Sequence, residues 1–242
     1  MNEILVEQGS AAWFAARRGL VTASRVSDAI ARPKRKDGEL LCRRDYRLQI
    51  VSEILTGISQ DHYVSPAMEY GTENEPLART AYEMALQVDV KLVGFALHPT
   101  ISRAGCSPDG IIGENGLVQF KVPNTSTHIQ YIIDGVVPKD YVEQMQWEMA
   151  CCGPEFLYND FVSHDPRIKE EDLQTLIIRL PRDNAKIAEM ESEILLFLAE
   201  VDEMMLRLKE HAAGESTIER QLRESLHLVG KPQPIVTAME TE

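Results

Sequence analysis

The sequence is poor in cysteine, in long apolar runs and in positive charge. Its four cysteines, Cys42, Cys106, Cys151 and Cys152, form no CxxC pair and have no histidine at zinc-ligand spacing. They read as reduced, mostly buried thiols, and a structural metal is not expected. No apolar run approaches membrane-spanning length, so no membrane partner is expected. The N-terminal stretch MNEILVEQGSAAWFAARRGL has no basic segment leading into an apolar one, so a signal peptide is not expected either. A cytoplasmic protein is the expectation. Internal repeats and low-complexity tracts are also missing.

The formal charge is −13, from 25 Lys and Arg against 38 Asp and Glu. That balance disfavours a nucleic-acid partner, because DNA binding depends on neutralising phosphates. The distribution qualifies it. Residues 1–50 hold ten basic side chains against six acidic ones, a balance of +4, which leaves −17 for the rest. Such asymmetry fits a local basic surface on an acidic body, or equally a solvated basic loop around RPKRKDG.

What is present is an ordinary globular composition, 44% hydrophobic and 26% charged, over 242 residues, enough for one large domain. Ser10 caps a short helix over AAWFAARRG that stops at Gly19. TASRVSDAIA reads as a second helix capped by Thr22 or Ser24, and a third ends with LQIVSEILTG at Gly57. ENEPLARTAYEM predicts a helix over 73–84 with Pro76 in its first turn. Strands are expected in VDVKLVGFAL, in 106–123, in FLYNDFVS and in LQTLIIRL, with a buried helix at DYVEQMQWEMACCG between them. From Asn184 to about His211 apolar residues recur every three or four positions, from Ile187 through Met204 to Leu208. This is an amphipathic helix that packs on its own domain or forms a subunit contact. The order predicts an α/β fold, a mixed sheet with helices on its faces, as one domain over 1–213. Residues 214–242 are expected to be a short helical or frayed extension.

The chemistry concentrates in CSPDGIIGENGLVQFKVP, residues 106–123. In a strand, Gln119 and Lys121 leave one face while Val118, Phe120 and Val122 leave the other. Asp109, the Gln119 oxygen and the Phe120 carbonyl would offer hard oxygen ligands to Mg²⁺, and Lys121 could orient or deprotonate a water and offset developing charge. Taken alone, the stretch also suits a plain turn and a half-exposed strand. Glu75 could add a second acidic group, or simply offset a helix dipole. Thr22 and Ser24 at a helix start make an anion site, and Arg17 could grip phosphate, with hydroxyl capping and a solvated arginine as the plainer roles.

Six motifs in unbroken order carry a resemblance: WFAARRGLVTAS (13–24), YGTENEPLAR (70–79), CSPDG (106–110), QFKVP (119–123), YVEQMQ (141–146) and HDPR (164–167). Across about residues 5–212 the chain resembles the phage lambda exonuclease family (YqaJ-type viral recombinase exonucleases) of the PD-(D/E)xK nuclease superfamily. The resemblance implies a restriction-endonuclease-like core with a long C-terminal helix. It also implies a homotrimeric ring that threads double-stranded DNA ends in the cytoplasm of a phage-infected or lysogenic bacterium. Such a ring degrades the 5′-ended strand and leaves a 3′ overhang for a single-strand annealing protein. By match to the family's motifs, Asp109, position 119 and the Phe120 carbonyl bind Mg²⁺, with two ions implied and Mn²⁺ as a substitute. Glu75 completes the metal site, Lys121 is the catalytic lysine, and Gln144 belongs to the active site. Arg17, Ser24 and Ser107 match the pocket for the terminal 5′ phosphate, with Thr22 beside them. Lys34 and Met68 fall where the family helps to separate strands. The chain departs at Gln119, where the family has Glu. Either the residue was substituted to trap a DNA complex, or it is natural and cleavage is reduced or absent. A DNA-end binding protein without catalysis, and an endonuclease of the same superfamily, are the alternatives.

Overall fold

A computed structural model describes residues 1–33, 38, 40–60 and 65–213. Lys34 and the expected extension over 214–242 lie outside the described residues. Two compact units are distinguished, Met1–Val201 and the remainder from Asp202.

The first unit opens with β1 (Asn2–Ile4) and α1 (Ala11–Arg17), which starts where Ser10 Oγ accepts the Trp13 amide at 3.2 Å. After β2 (Val21–Thr22) the chain makes a 3-10 turn over Ala23–Arg25 before α2 (Val26–Ile30). The expected cap at Thr22 or Ser24 is therefore not made. Neither the turn nor α2 has a side-chain cap, and the two hydroxyls face each other at 3.4 Å. α3 (Leu41–Thr56) ends at Gly57 as expected.

α4 (Pro66–Leu86) corrects the expected start at Glu73. Ser65 Oγ accepts the Met68 amide at 3.3 Å and Pro66 takes the first turn, where its missing N–H costs nothing, so this start pre-empts the one at ENEP. Pro76 consequently sits inside the helix, where it removes one backbone bond. Glu75 is likewise interior, too far from the N-terminus to answer the helix dipole.

The run VDVKLVGFAL splits into β3 (Val90–Lys91) and β4 (Phe95–Leu97), which join different sheets. The break falls at Gly94, where a Cβ would meet the carbonyls of Ile4 and Val6 at 2.5 Å. Next come β5 (Ala104–Cys106), β6 (Gly110–Ile112) and β7 (Gly116–Lys121). α5 (Thr125–Asp134), not expected from the sequence, precedes the buried α6 (Lys139–Cys152). β8 (Tyr158–His164), β9 (Thr175–Pro181) and α7 (Asn184–Ala212) complete the described elements.

The architecture is the expected mixed α/β one, with its strands shared between sheets ordered β1-β4-β5-β2 and β3-β6-β7-β8-β9. β7 and β8 run parallel, with Gln119 opposite Phe161 and Lys121 opposite Ser163, and α5 and α6 form the crossover that a parallel pair requires. On one face of the larger sheet, Ala78 and Tyr82 of α4 pack on Ile112, Val118, Phe120, Val122 and Val162. Tyr82 also donates to Asp160 at 2.8 Å, and Arg179 holds that buried carboxylate with two bonds. The apolar stripe of α7 is buried through Ile187, Met190, Ile194, Phe197 and Val201. Within the second unit, Arg207 bonds Glu203 one turn back. Among the described residues no helix is long and apolar enough to cross a membrane.

Among the described residues, most of the basic side chains within residues 1–50 are paired with acids of the chain. Arg25 pairs with Asp28, Arg32 with Glu193, Arg43 and Arg47 with Glu200, and Arg44 with Asp45. Arg17 and Arg18 instead line a cleft. Cys106, Cys151 and Cys152 are buried free thiols, as expected, while Cys42 is exposed.

Candidate active site

The Ser107–Asp109 corner between β5 and β6 is pinned by the N-terminal segment. Gln8 Nε2 donates to Pro108 O at 3.0 Å and to Val93 O at 2.8 Å, and Trp13 Nε1 donates to Ser107 Oγ at 2.8 Å. Neither Gln8 nor the indole is legible as a positioning group in the sequence, because each acts on a partner far along the chain.

Asp109 then meets β7 where β6 has run out. The last β6 partner is Val118, and beyond it Asp109 Oδ2 accepts the Phe120 amide at 2.7 Å. The N–H and C=O of one strand residue point to the same side. The Phe120 carbonyl thus leaves β7 on this same uncovered edge. Gln119 Nε2 also donates to Asp109 Oδ2, and Gln144 Nε2 donates to Gln119 Oε1 at 2.8 Å. Lys121, on the same face as Gln119, holds its ammonium 5.1 Å from the centre of the Tyr141 ring.

Glu75, from the middle of α4, lines one cleft with Asp109 and another, of about 320 Å³, with Phe120, Lys121 and Tyr141. Burial, and then Asp109, push its carboxyl up to about 7, against the pull of Lys121 and Arg79. Asp109 is raised by its own burial, opposed by Lys121 and by the bonds it accepts. Glu148, absent from the sequence-based set, is fully buried behind Gln144, which donates to it at 2.9 Å. Burial and then Asp109 lift it to about 8. Its spacing of four from Gln144 on one helix was the available signal.

The residues expected to bind a phosphate gather in a third cleft, of about 520 Å³, lined by Trp13, Arg17, Thr22, Ser24 and Met68 among others. The Arg17 guanidinium lies 3.8 Å over the Trp13 ring and 3.5 Å from Ser24 Oγ, and burial brings its pKa down to about 10. Ser107 joins this group through the Trp13 indole. Met68 and Thr72 border both this cleft and the one holding Glu75 and Lys121, so the two are continuous along α4. The HDPR motif shapes the rim: Arg167 grips Asp165 with two bonds, donates to Pro123 O at 2.8 Å and lies 4.6 Å from the Tyr70 ring centre.

Among the described residues, no three His, Cys, Asp or Glu side chains gather as a metal cage. The donor set that does gather is two carboxylates, Asp109 and Glu75, with neutral oxygens on Phe120 and Gln119. It is all oxygen, and both carboxyls are raised by burial, Glu75 by Asp109 as well, a cost that a hard divalent cation would relieve. The Gln119 oxygen is turned toward Gln144, and its nitrogen faces Asp109.

Residues 12–155 match the family described as the YqaJ-like viral recombinase domain. The crystal structure of an alkaline exonuclease (LHK-Exo) from Laribacter hongkongensis is similar, with 40% identity and a TM-score of 0.77, over 86% of this chain and 100% of that one. LHK-Exo in complex with dAMP matches at 41% identity with the same TM-score and coverage. A phage related exonuclease from Haemophilus somnus 129PT shares 12% identity at a TM-score of 0.63, over 78% of this chain and 96% of that one, a likeness of fold alone. No curated protein matches the chain. With more than half of its length inside the family match and this identity to an exonuclease, the chain belongs to the YqaJ-like viral recombinase family, of the phage lambda exonuclease type.

Proposed function

We propose that the chain is a Mg²⁺-dependent exonuclease that degrades the 5′-ended strand of linear double-stranded DNA, and that Gln119 weakens its hold on the cation. The observation that carries this reading is the continuity of two clefts. Glu75 and Lys121 stand at one, Arg17, Thr22 and Ser24 at the other, and Met68 lies at their junction, while Glu75 also faces Asp109 in an adjoining cleft.

Asp109, Glu75 and the Phe120 carbonyl would hold the divalent cation, with Mn²⁺ as a substitute, and Gln119 Oε1 would join them once its amide turns. The bound ion would supply a Lewis acid against the scissile phosphate. Lys121 orients the attacking water and offsets negative charge as it develops on phosphorus. Arg17, with the Ser24, Thr22 and Ser107 hydroxyls, binds the terminal 5′ phosphate and so fixes which phosphodiester reaches Lys121. Water attacks that phosphorus and the 3′ oxygen of the end nucleotide leaves. A mononucleotide is released and the new end keeps its phosphate, ready for the same pocket. LHK-Exo in complex with dAMP, a deoxynucleoside monophosphate, supports a site of this size and chemistry. Met68 would part the strands at the junction. A homotrimeric ring, a single-strand annealing partner for the 3′ overhang and a phage or prophage setting complete the proposal.

The experiment compares the native chain with Gln119→Glu on 5′-phosphorylated linear and on closed circular duplex, with and without Mg²⁺. Mononucleotide release from linear DNA alone, stronger in Gln119→Glu, is expected. Cutting of circles would make the protein an endonuclease. End binding without release in either form would leave a DNA-end binding protein. A monomer in sedimentation would remove the ring.

A further inference from the structure

Behind the Gln119–Asp109 bond lies a buried polar chain that the nuclease reading does not use. Glu148 is fully buried on α6, and each of its oxygens accepts: Oε1 from Gln144 at 2.9 Å, Oε2 from Asn159 at 2.8 Å. Gln144 Nε2 has two protons and spends the second on Gln119 Oε1 at 2.8 Å. Gln119 is then left with only its nitrogen to offer Asp109, and it donates there.

The direction of the chain is held by an acceptor at each end, Asp109 and Glu148. An amide can turn over at almost no steric cost, so the orientation of Gln144 and Gln119 is decided by their partners. Asp109, an acceptor, favours this direction while no cation is present, although a cation between Asp109 and position 119 would favour the opposite one, oxygen inward. The carboxylate at the far end favours it in either case, since Gln144 must turn its nitrogen to Glu148. Gln119 and Glu148 are buried while Gln144 and Asp109 are half-buried, so a misdirected amide would leave like atoms facing each other with little water to relieve them.

We propose that Glu148 is a positioning residue of this site: by accepting from Gln144 it sets the Gln119 amide with its nitrogen, not its oxygen, on Asp109. In the cation-free protein the Gln119 N–H therefore takes the place beside Asp109 that a cation would claim, and cation entry has to displace it. The proposal rests on the nuclease reading only for the identity of the cation.

The test follows side-chain amide signals of the ¹⁵N-labelled full chain by NMR without metal, the Gln119 pair being assigned by its loss in Gln119→Glu. In the native protein the Gln119 amide protons are expected to be slowed in exchange at least tenfold relative to an exposed glutamine. Glu148→Leu removes the far acceptor and should reduce that protection severalfold, Asp109 alone remaining to hold the amide. Glu148→Gln should retain it, because the new side chain still offers Gln144 an oxygen. Asn159, whose Oδ1 has no hydrogen-bond partner among the described residues, can turn over to receive the new N–H. Gln144→Met, at a half-buried position, cuts the same link without touching Glu148 and should act like Glu148→Leu; it decides the matter if the latter does not fold. Unchanged Gln119 protection in a folded Glu148→Leu or Gln144→Met protein overturns the proposal. Titration with Mn²⁺ then separates the two readings: broadening of the Gln119 signal is expected. An intact, protected Gln119 amide with no Mn²⁺ binding would sink the nuclease reading and leave the positioning role standing.

Discussion

The Trp13 indole donates to Ser107 Oγ at 2.8 Å while its ring face carries the Arg17 guanidinium 3.8 Å above it. One side chain thus holds two arms of the proposed phosphate pocket by two different forces. Trp13→Phe keeps the ring and loses the hydrogen bond, and should weaken binding of 5′-phosphorylated ends about fivefold, the worth of about 1 kcal/mol. Trp13→Ala loses the cation–π contact as well, for roughly thirtyfold in total. Fluorescence anisotropy with phosphorylated and unphosphorylated ends checks this; equal losses for both kinds of end would count against a phosphate pocket.

Gln119→Glu removes the donor to Asp109 and sets a second negative charge against it. Without metal the variant should be less stable by about 2 kcal/mol, which for a chain of this length lowers Tm by about 5 °C. Added Mg²⁺ should reverse the order of the two proteins. Thermal melts with and without Mg²⁺ test it, and a variant as stable as the native chain in chelator would remove the amide's assigned part in the cation-free site.

The pH dependence follows from Glu75 near 7 and Glu148 near 8, both above the ordinary 4.5 of a glutamate. The folded chain holds protons that the unfolded chain has released, so metal-free stability should fall as pH rises from about 4.5 through these folded values. Cation binding requires the ionised carboxyls and should tighten over the same range, releasing protons, and level off above about pH 8. Denaturant melts across the range and calorimetry in two buffers of different ionisation enthalpy read both effects. A metal affinity independent of pH between about 6 and 8 would contradict the assignment of Glu75.

Lys121→Met should leave end binding within about threefold while lowering mononucleotide release by roughly a thousandfold, because the proposed mechanism sets the ammonium on the reacting phosphate and not on the terminal one. Parallel loss of binding and turnover would place Lys121 in the DNA grip instead.

Asp160 is 1% exposed and Arg179 55%. Arg179→Met strands a buried carboxylate with Tyr82 as its remaining donor and should cost about 3 kcal/mol. Asp160→Asn leaves a guanidinium that can turn to water, and should cost about 2 kcal/mol. Urea unfolding of both variants gives the comparison, and the reverse order would mean that Tyr82 alone satisfies the acid.

Much of the site was legible because it is local. The alternation in LVQFKV placed Gln119 and Lys121 on one face and Val118, Phe120 and Val122 in the core, as the packing of α4 on the latter shows. Ser10 as a cap and Gly57 as a stop are single-residue signals with a direct backbone cause. The start of α4 was misplaced because Ser65–Pro66 and the Pro76 stretch are both sound N-terminal signals, and only the first is used. α5 was missed in NTSTHIQYIID, whose β-branched and polar residues argue weakly for any state.

The sequence by itself determined the order of the motifs, the chemical identity of each side chain and the faces of β7, all of which depend on neighbours along the chain. Only the tertiary structure decided that Glu75 comes from mid-helix, that Met68 joins two clefts, that Trp13 reaches Ser107 across 94 residues, and that the nitrogen of Gln119 faces Asp109. These are long-range contacts, set when buried polar groups must find partners in a packed interior, and no periodicity in the chain encodes which partner that is.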